Sequence, residues 1–352
     1  MRDFLYRTRP QRVLFACAAR RQLAGELDLL GITHPLLLTT SGRAPLGDGL
    51  RPFLGGRCVT CFAGAEMHTP VEVTTRAMDM LSRCGADGIL SIGGGSTIGL
   101  GKALSLRSGL PHLCLPTTYA GSEMTDILGE TKAGRKQTRR DPAILPATVI
   151  YDTELTLDLP MGVTVLSAMN ALAHAVEALY APDANPVTDL LAQEAIGTIT
   201  RTLPRLADTP QDPDARAEML YAAWLCGACL GAVAMSLHHK ICHTLGGSFG
   251  LPHAETHTVM LPHVLAYNAP AIPGVMARLT PLLGPDPARA LQDLATRLGA
   301  APSLRAMGLP QEAIDRAADL ALQTPYANPR PVEEAPLRAM LARAWRGDAP
   351  VP

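Results

Sequence analysis

The sequence predicts an α/β domain over residues 1–154 followed by an all-helical domain over residues 155–352. Three observations predict it. Short apolar runs alternate with helical stretches through the first part, the pattern changes near residue 155, and two of the apolar runs end in glycine- or hydroxyl-rich turns. Strands that alternate with helices imply a parallel sheet covered on both faces.

The strand-like runs come in order as "RVLFA", "HPLLLTT", "RCVTCF", "GILSIGGG", "HLCLPTT" and "ATVIYD", each bounded by Gly, Pro, Ser or Asp. Between them "PVEVTTRAMDMLSRCGA" carries helical periodicity. Past residue 155 the stretches "VTVLSAMNALAHAVEALYA", "PVTDLLAQEAIGTITRTLPRL" and "ARAEMLYAAWLCGACLGAVAMSLHHKICHTLGG" read as helices with Ala-rich periodic faces. The Pro-rich stretch 325–336 is a loop. The cleft between two such domains is the default binding site.

Composition narrows the function. With 47% apolar and 18% charged residues and a net charge of −1, the chain can bury a large core and is a poor partner for nucleic acid or anionic membrane. No apolar run reaches the ~18 uncharged residues of a spanning helix, and "MRDFLYRTRPQ" lacks the apolar core of a secretory signal. A cytoplasmic location is expected. The pairs Cys58/Cys61 and Cys226/Cys229 have CxxC spacing but lie too far apart for a zinc ribbon, so buried thiols are expected.

Two turns carry binding chemistry. In "ILSIGGGSTIGLGKAL", Gly93, Gly94 and Gly95 follow a strand and open a helix, with Ser96 and Thr97 next. Such a turn lets backbone N–H groups and a helix N-terminus face a phosphate. "LPTTYAGSEMT" follows another strand and offers Thr117, Thr118 and Ser122. Two loops at strand ends suit a dinucleotide lying across a doubly wound sheet. At the second strand's end "LLLTTSGR" has Thr39, Thr40, Ser41 and Arg43 but no carboxylate to repel a 2′-phosphate, so NADH and NADPH are both expected.

Five of the ten histidines crowd into "LHHKICHTLGGSFGLPHAETH". Asn170 and His174 lie four apart, as do His239 and His243, so each pair shares a helix face. His253 follows Pro252 in a Gly-rich loop. Together these favour a site, whereas His238, His257 and His263 are read as packing or as support for it. His34, His68 and His112 have no partner in sequence. Lys240 and Arg330 are ordinary surface charges unless the substrate is anionic.

In order along the chain, "GGGST", "LPTTYAGSE", "NALAHAVEALYA", "HHKICHTLGG", "LPHAETHT" and "NPRPV" resemble the iron-containing alcohol dehydrogenase superfamily, and more narrowly its maleylacetate reductase branch. The resemblance implies the dehydroquinate synthase-like fold and a homodimer. It also implies NAD(P)H-dependent reduction of the conjugated C=C of maleylacetate, or its substituted forms, to 3-oxoadipate. The dinucleotide site is then expected at Thr39, Ser41, Gly93, Gly94, Gly95, Ser96, Thr97, Thr117, Thr118, Ser122 and Lys136. Metal-dependent members bind their ion through one Asp and three His, at positions matching Asn170, His174, His239 and His253. His243 matches a histidine near the nicotinamide. Here Asn170 replaces the only anionic ligand, and Gly99 stands where the phosphate loop's usual Asp would be. Both departures resemble maleylacetate reductases and lead to the expectation of no metal. Hydrogen-bond donors at Asn170, His174 and His239 would stabilise an enolate. His243, or His253 in its place, would deliver the proton, and Lys240 and Arg330 would hold the substrate carboxylates. The competing readings are a metal-dependent alcohol or polyol dehydrogenase of the same fold, and a catalytically silent dinucleotide-binding protein.

Overall fold

The structure, a computed structural model, describes residues 3–7, 9–132, 135–323 and 326–352; of Arg135 and Lys136 it describes the backbone alone. The chain divides into two compact units. One holds residues 9–159 with Gln211–Leu220, and the other holds Pro160–Pro210 with Tyr221–Pro352.

The first unit is built on β1 (Arg12–Ala16), β2 (Pro35–Leu38), β3 (Thr60–Phe62), β4 (Gly88–Gly93), β5 (His112–Pro116) and β8 (Thr148–Asp152). These form one parallel sheet in the order β1-β8-β5-β4-β2-β3. Alternate side chains feed two cores. Leu37, Leu90, Ile92, Leu113, Leu115 and Ile150 meet Leu23 and Leu27 of α1 (Leu23–Leu29) on one face. Leu36, Leu38 and Ile89 meet Val73, Ala77 and Leu81 of α3 (Val71–Arg83) and Leu100 and Leu104 of α4 (Gly95–Ser108) on the other. A short α2 (Ala44–Gly49) follows β2.

Every strand-like run of the sequence is a strand, although β3 begins only at Thr60, which leaves Cys58 exposed and Cys61 half-buried rather than packed away. The sequence reading missed one element. β6 (Ile127–Lys132) and β7 (Arg135–Arg140) pair as an antiparallel hairpin outside the main sheet. Its sequence is mostly polar and charged, so it gives no apolar alternation to detect.

Strand order places the nucleotide loops. The chain leaves β2 outward for β3 but leaves β4 the other way for β5, although β2 and β4 are neighbours. The direction of winding therefore switches between them. In open α/β sheets ligands bind outside the strand C-termini at such a point. The loops there are Thr39–Ser41 and Gly93–Gly95.

The second unit is helical: α5 (Met161–Ala178), α6 (Pro186–Asp208), the latter part of α7 (Pro213–Ala232), α8 (Leu237–Phe249), α9 (His253–Asn268), α10 (Pro273–Leu283), α11 (Pro287–Arg297), α12 (Ala313–Leu322) and α13 (Glu334–Arg346). Leu237, Ile241 and Leu245 of α8 pack with Met260 and Val264 of α9, Ala317 and Ala321 of α12 and Leu337 and Leu341 of α13. The helical stretch 215–247 is two helices, α7 and α8, bent by 96° at Val233–Ser236. No proline or helix-ending glycine marks the bend. Carboxylates from elsewhere make it: Asp183 accepts the Ala234 N–H at 2.9 Å, and Glu177 accepts the His238 N–H at 2.9 Å. No single helix among the described residues is long and apolar enough to cross a membrane.

Candidate active site

In the first unit the two expected loops are tied to each other. The Thr117 N–H donates to Gly93 O at 3.0 Å. Gly93 has φ +153°, and a Cβ there would overlap the Thr97 side chain. A Cβ on Gly94 would lie 2.9 Å from Thr118, whereas one on Gly95 would meet nothing within 4 Å. The first two glycines thus allow close loop packing, and the third leaves an open face at the start of α4. Thr97 Oγ1 and Ser122 Oγ are buried hydroxyls without a hydrogen-bond partner, which is unusual unless a ligand takes them.

Lys102, unremarked in the sequence, braces this region. It is fully buried, and its ammonium donates to Ser122 O, to Thr125 Oγ1 at 2.9 Å and to Ile127 O at 3.0 Å. Burial drags its pKa down to about 8. Gly99, where the family pattern has an Asp, leaves room for Thr69, whose hydroxyl lies 2.6 Å from where a Cβ would stand. Thr39 is buried, its hydroxyl donating to Arg43 O at 3.3 Å, while Ser41 is exposed. Lys136 falls outside the residues whose side chains are described.

In the second unit six histidines form one cluster. His174 and His239 stack with ring centroids 5.0 Å apart, and His243 and His253 stack at 6.1 Å. His257 lies 4.3 Å from His253 and 4.8 Å from His238. All the histidines singled out as a site are brought together, and so are His238 and His257. His263 is buried on α9 outside these ring contacts, with burial lowering its pKa to about 4. Exposure grades across the cluster. Asn170, His174, His238, His239 and His257 are buried, His253 is half-buried and His243 is exposed.

A hydrogen-bond chain orders the buried members. The Asn170 amide nitrogen faces His174 Nε2 at a long 3.5 Å, His174 Nδ1 faces His239 Nε2 at 2.9 Å, and His239 Nδ1 makes a short contact with Glu177. If the amide donates, His174 Nε2 accepts, so its Nδ1 carries the proton given to His239. His239 then presents its own proton to Glu177. One amide orientation therefore fixes two tautomers. Burial keeps His239 neutral, down to about 3, and holds His238 and His257 well below the usual imidazole range.

Glu177 is the residue the sequence reading missed. Its carboxyl is fully buried at the N-terminus of α8, where burial pushes it up to about 8 and backbone N–H groups of His238, Ser236 and His239 pull it back. An anion is favoured at a helix N-terminus. Glu177 thus caps α8 and orients His239 at once.

Lys240 and Arg330 both lie against aromatic rings. The Lys240 ammonium sits 5.7 Å from the Tyr326 ring centroid. The Arg330 guanidinium stacks at 4.4 Å over Tyr267 and donates to Tyr267 O at 2.8 Å. Arg330 therefore has a structural task at the end of α9, and Lys240 is the less committed cation.

Comparison with known proteins places this geometry. Residues 10–153 match the family described as iron-containing alcohol dehydrogenase, and residues 164–345 match the C-terminal part of the same family. The chain is 52% identical to a maleylacetate reductase of Burkholderia cepacia, over 99% of this chain and 100% of that protein. It is 49% identical to one from a Rhizobium strain, over the same shares of the two chains. The crystal structure of maleylacetate reductase from Agrobacterium tumefaciens superposes with a TM-score of 0.96 at 48% identity, covering 99% of this chain and 100% of that one.

The matched family is iron-containing, and this overturns the expectation that no metal is bound. The residues fit a metal. Three imidazoles and an amide oxygen make a nitrogen–oxygen donor set, and three protein ligands suffice for a catalytic ion. Asn170 Oδ1 is buried without a partner. His239 is held by a carboxylate in the manner of metal-bound histidines. Exchange of a carboxylate for an amide lowers the charge of the site but not its number of donors, and the sequence reading gave charge too much weight.

Proposed function

The chain belongs to the iron-containing alcohol dehydrogenase family, and we propose that it works as that family's maleylacetate reductases do, reducing the conjugated double bond of maleylacetate with NADH or NADPH to give 3-oxoadipate. The observation that carries this is 52% identity to a maleylacetate reductase over 99% of the chain. The enzyme is an NAD(P)-dependent oxidoreductase acting on a CH–CH group. The test is direct: protein, NADH and maleylacetate are mixed and absorbance of the reduced nicotinamide is followed. An absence of turnover with either nicotinamide would refute the reading.

The dinucleotide is held by the two loops at the switch point. Its phosphates face the open side of Gly95 and the start of α4, and the orphaned hydroxyls of Thr97 and Ser122 supply donors. Hydride leaves the dihydronicotinamide and adds to the alkene carbon β to the ketone. The π electrons move to the ketone oxygen as an enolate, which then takes one proton at the α-carbon. Because burial holds His238, His239 and His257 neutral, the proton donor is sought at the accessible end of the cluster, in His243 with His253 beside it. Asn170, His174 and His239 form the buried floor. Asn170, His174, His239 and His253 would hold iron, which when bound would supply Lewis-acid chemistry. Lys240 pairs with a substrate carboxylate, and Arg330 offers the N–H groups that Tyr267 does not use. The enzyme acts as a homodimer in the cytoplasm, an expectation that light scattering and cell fractionation test.

A further inference from the structure

We propose that His238, Cys242 and His257 form a second metal site, for a borderline-soft divalent ion of the zinc type, distinct from the ligand set the family implies. Cys242 stands one helical turn after His238 on α8, and His257 faces them from α9. All three side chains are fully buried. Their ligand atoms lie within 4.8 Å of one another, with His238 Nε2 2.9 Å from His257 Nδ1 and Cys242 Sγ 3.7 Å from His238 Nε2.

These spacings are close to what an ion needs. Tetrahedral bonds of about 2.0–2.1 Å to nitrogen and about 2.3 Å to sulfur set the nitrogens roughly 3.3 Å apart and sulfur roughly 3.6 Å from each. The Cys242–His238 spacing is already that of a shared ion, and the two facing imidazole nitrogens must part by about 0.4 Å to reach theirs. The ring pair is now joined by a single shared proton. On binding, the thiol loses its proton to solvent, both facing nitrogens present lone pairs, and each imidazole keeps its proton on its far nitrogen. Two neutral imidazoles and one thiolate then hold the ion as its three protein ligands.

The setting argues against simple packing. Leu237, Ile241, Leu245, Met260 and Val264 fill the same two helices with apolar side chains. Three polar groups buried together among them carry a desolvation cost that an aliphatic trio would avoid. The site would also clamp α8 to α9 next to His239 and one turn from His253, the two helices that present the family's ligands.

Sulfur makes the test selective, because Asn170, His174, His239 and His253 offer none. The full-length protein, stripped with chelator under reducing conditions, is titrated with Co²⁺. The expected result is a thiolate-to-cobalt charge-transfer band in the near ultraviolet whose final amplitude corresponds to one thiolate–cobalt bond per chain, whatever cobalt the other set takes up. Cys242→Ala should abolish the band, and His257→Gln should weaken cobalt binding at that band more than tenfold. His174→Ala, which removes a donor from the other set, should keep it. Cobalt uptake by the wild-type protein without such a band would overturn the proposal, and this measurement needs no variant to fold. A band that survives Cys242→Ala would overturn it equally, by assigning the sulfur to a different cysteine.

Discussion

Replacement of Glu177 by Gln tests the hydrogen-bond chain on which the site rests. Glu177 has two acceptor oxygens, one taking the His238 N–H at 2.9 Å and the other facing His239 Nδ1. Gln has one. If its carbonyl keeps the His238 N–H, and so keeps α8 capped, its NH₂ must face His239 Nδ1. His239 then has to accept at Nδ1, and its proton moves to Nε2, the nitrogen that faces His174. A protonated Nε2 offers no lone pair to an ion. With a bound ion drawing Glu177 into its charged form, the loss is one hydrogen bond to a charged group, roughly 1.5–3 kcal/mol, or about ten- to a hundredfold. Loss of a carboxylate behind a metal-bound histidine has a similar effect, about 10–100-fold in affinity or activity. Three readings should move together in Glu177→Gln. Steady-state kcat should fall by that factor, iron retained through dialysis should drop, and the ¹⁵N shifts of His239 should report the inverted tautomer. Circular dichroism should stay as in the wild type. Activity within threefold of the wild type with an unchanged His239 tautomer would refute the reasoning, and Glu177 would be a helix cap only.

Four further outcomes are expected. Gly95→Ala should fold normally but raise the KM for NADH well above its effect on the KM for maleylacetate, because its Cβ meets open space, whereas Gly94→Ala should lower thermal stability by crowding Thr118; equal effects on both KM values would refute the loop assignment. His243→Ala should lower kcat by about a hundred- to a thousandfold, the usual result of losing one oxyanion or proton donor, while NADH binding measured by fluorescence is unchanged; near-native kcat would remove His243 from the proton transfer. NADH and NADPH should both serve, with a preference below roughly a thousandfold, about 4 kcal/mol, since the β2 end carries no carboxylate; a larger preference in a kcat/KM comparison would count against this. Burial lowers His112 to about 3 from 6.5, so as pH falls through that window the unfolded chain binds a proton the folded chain refuses, and stability is lost; His112→Gln should flatten the acid limb of a Tm-against-pH curve, and parallel curves would exclude His112 as a contributor.

Strands and helices were legible in the sequence where burial wrote a period into it. β4 reads "GILSIG" because both faces are covered, and α3 shows a clear apolar stripe because one face is. The β6–β7 hairpin was invisible because backbone pairing holds it, with largely polar side chains. The α7–α8 bend was invisible for another reason. Its cause lies 51 residues upstream of Ala234 at Asp183 and 61 residues upstream of His238 at Glu177. Local propensity carries no record of a carboxylate that arrives through tertiary folding.

The candidate site was legible as residue types but not as a network. Spacing alone placed Asn170 with His174 and His239 with His243, since helix geometry puts four-apart residues on one face. Glu177 obeys the same geometry, three residues after His174, and it is the lone carboxylate on a helix whose neighbouring positions are apolar. A charge in that setting needs a partner, because its isolated burial is prohibitive. Asked what that partner was, the sequence would have offered the histidine segment, the largest concentration of N–H donors in the chain. That reasoning also corrects the inference drawn from Asn170. The amide at Asn170 removes a negative charge from direct contact, yet a carboxyl stands a single imidazole away in Glu177; burial pushes it up to about 8, and a bound cation would draw it into its charged form through His239. The amide at Asn170 leaves the donor count intact, and the nearest anion to a bound ion becomes a residue behind its ligand. Relative to a site with an aspartate at that position, this one carries one negative charge less. A site less negative by one charge suits a substrate with two carboxylates better than it suits a neutral alcohol.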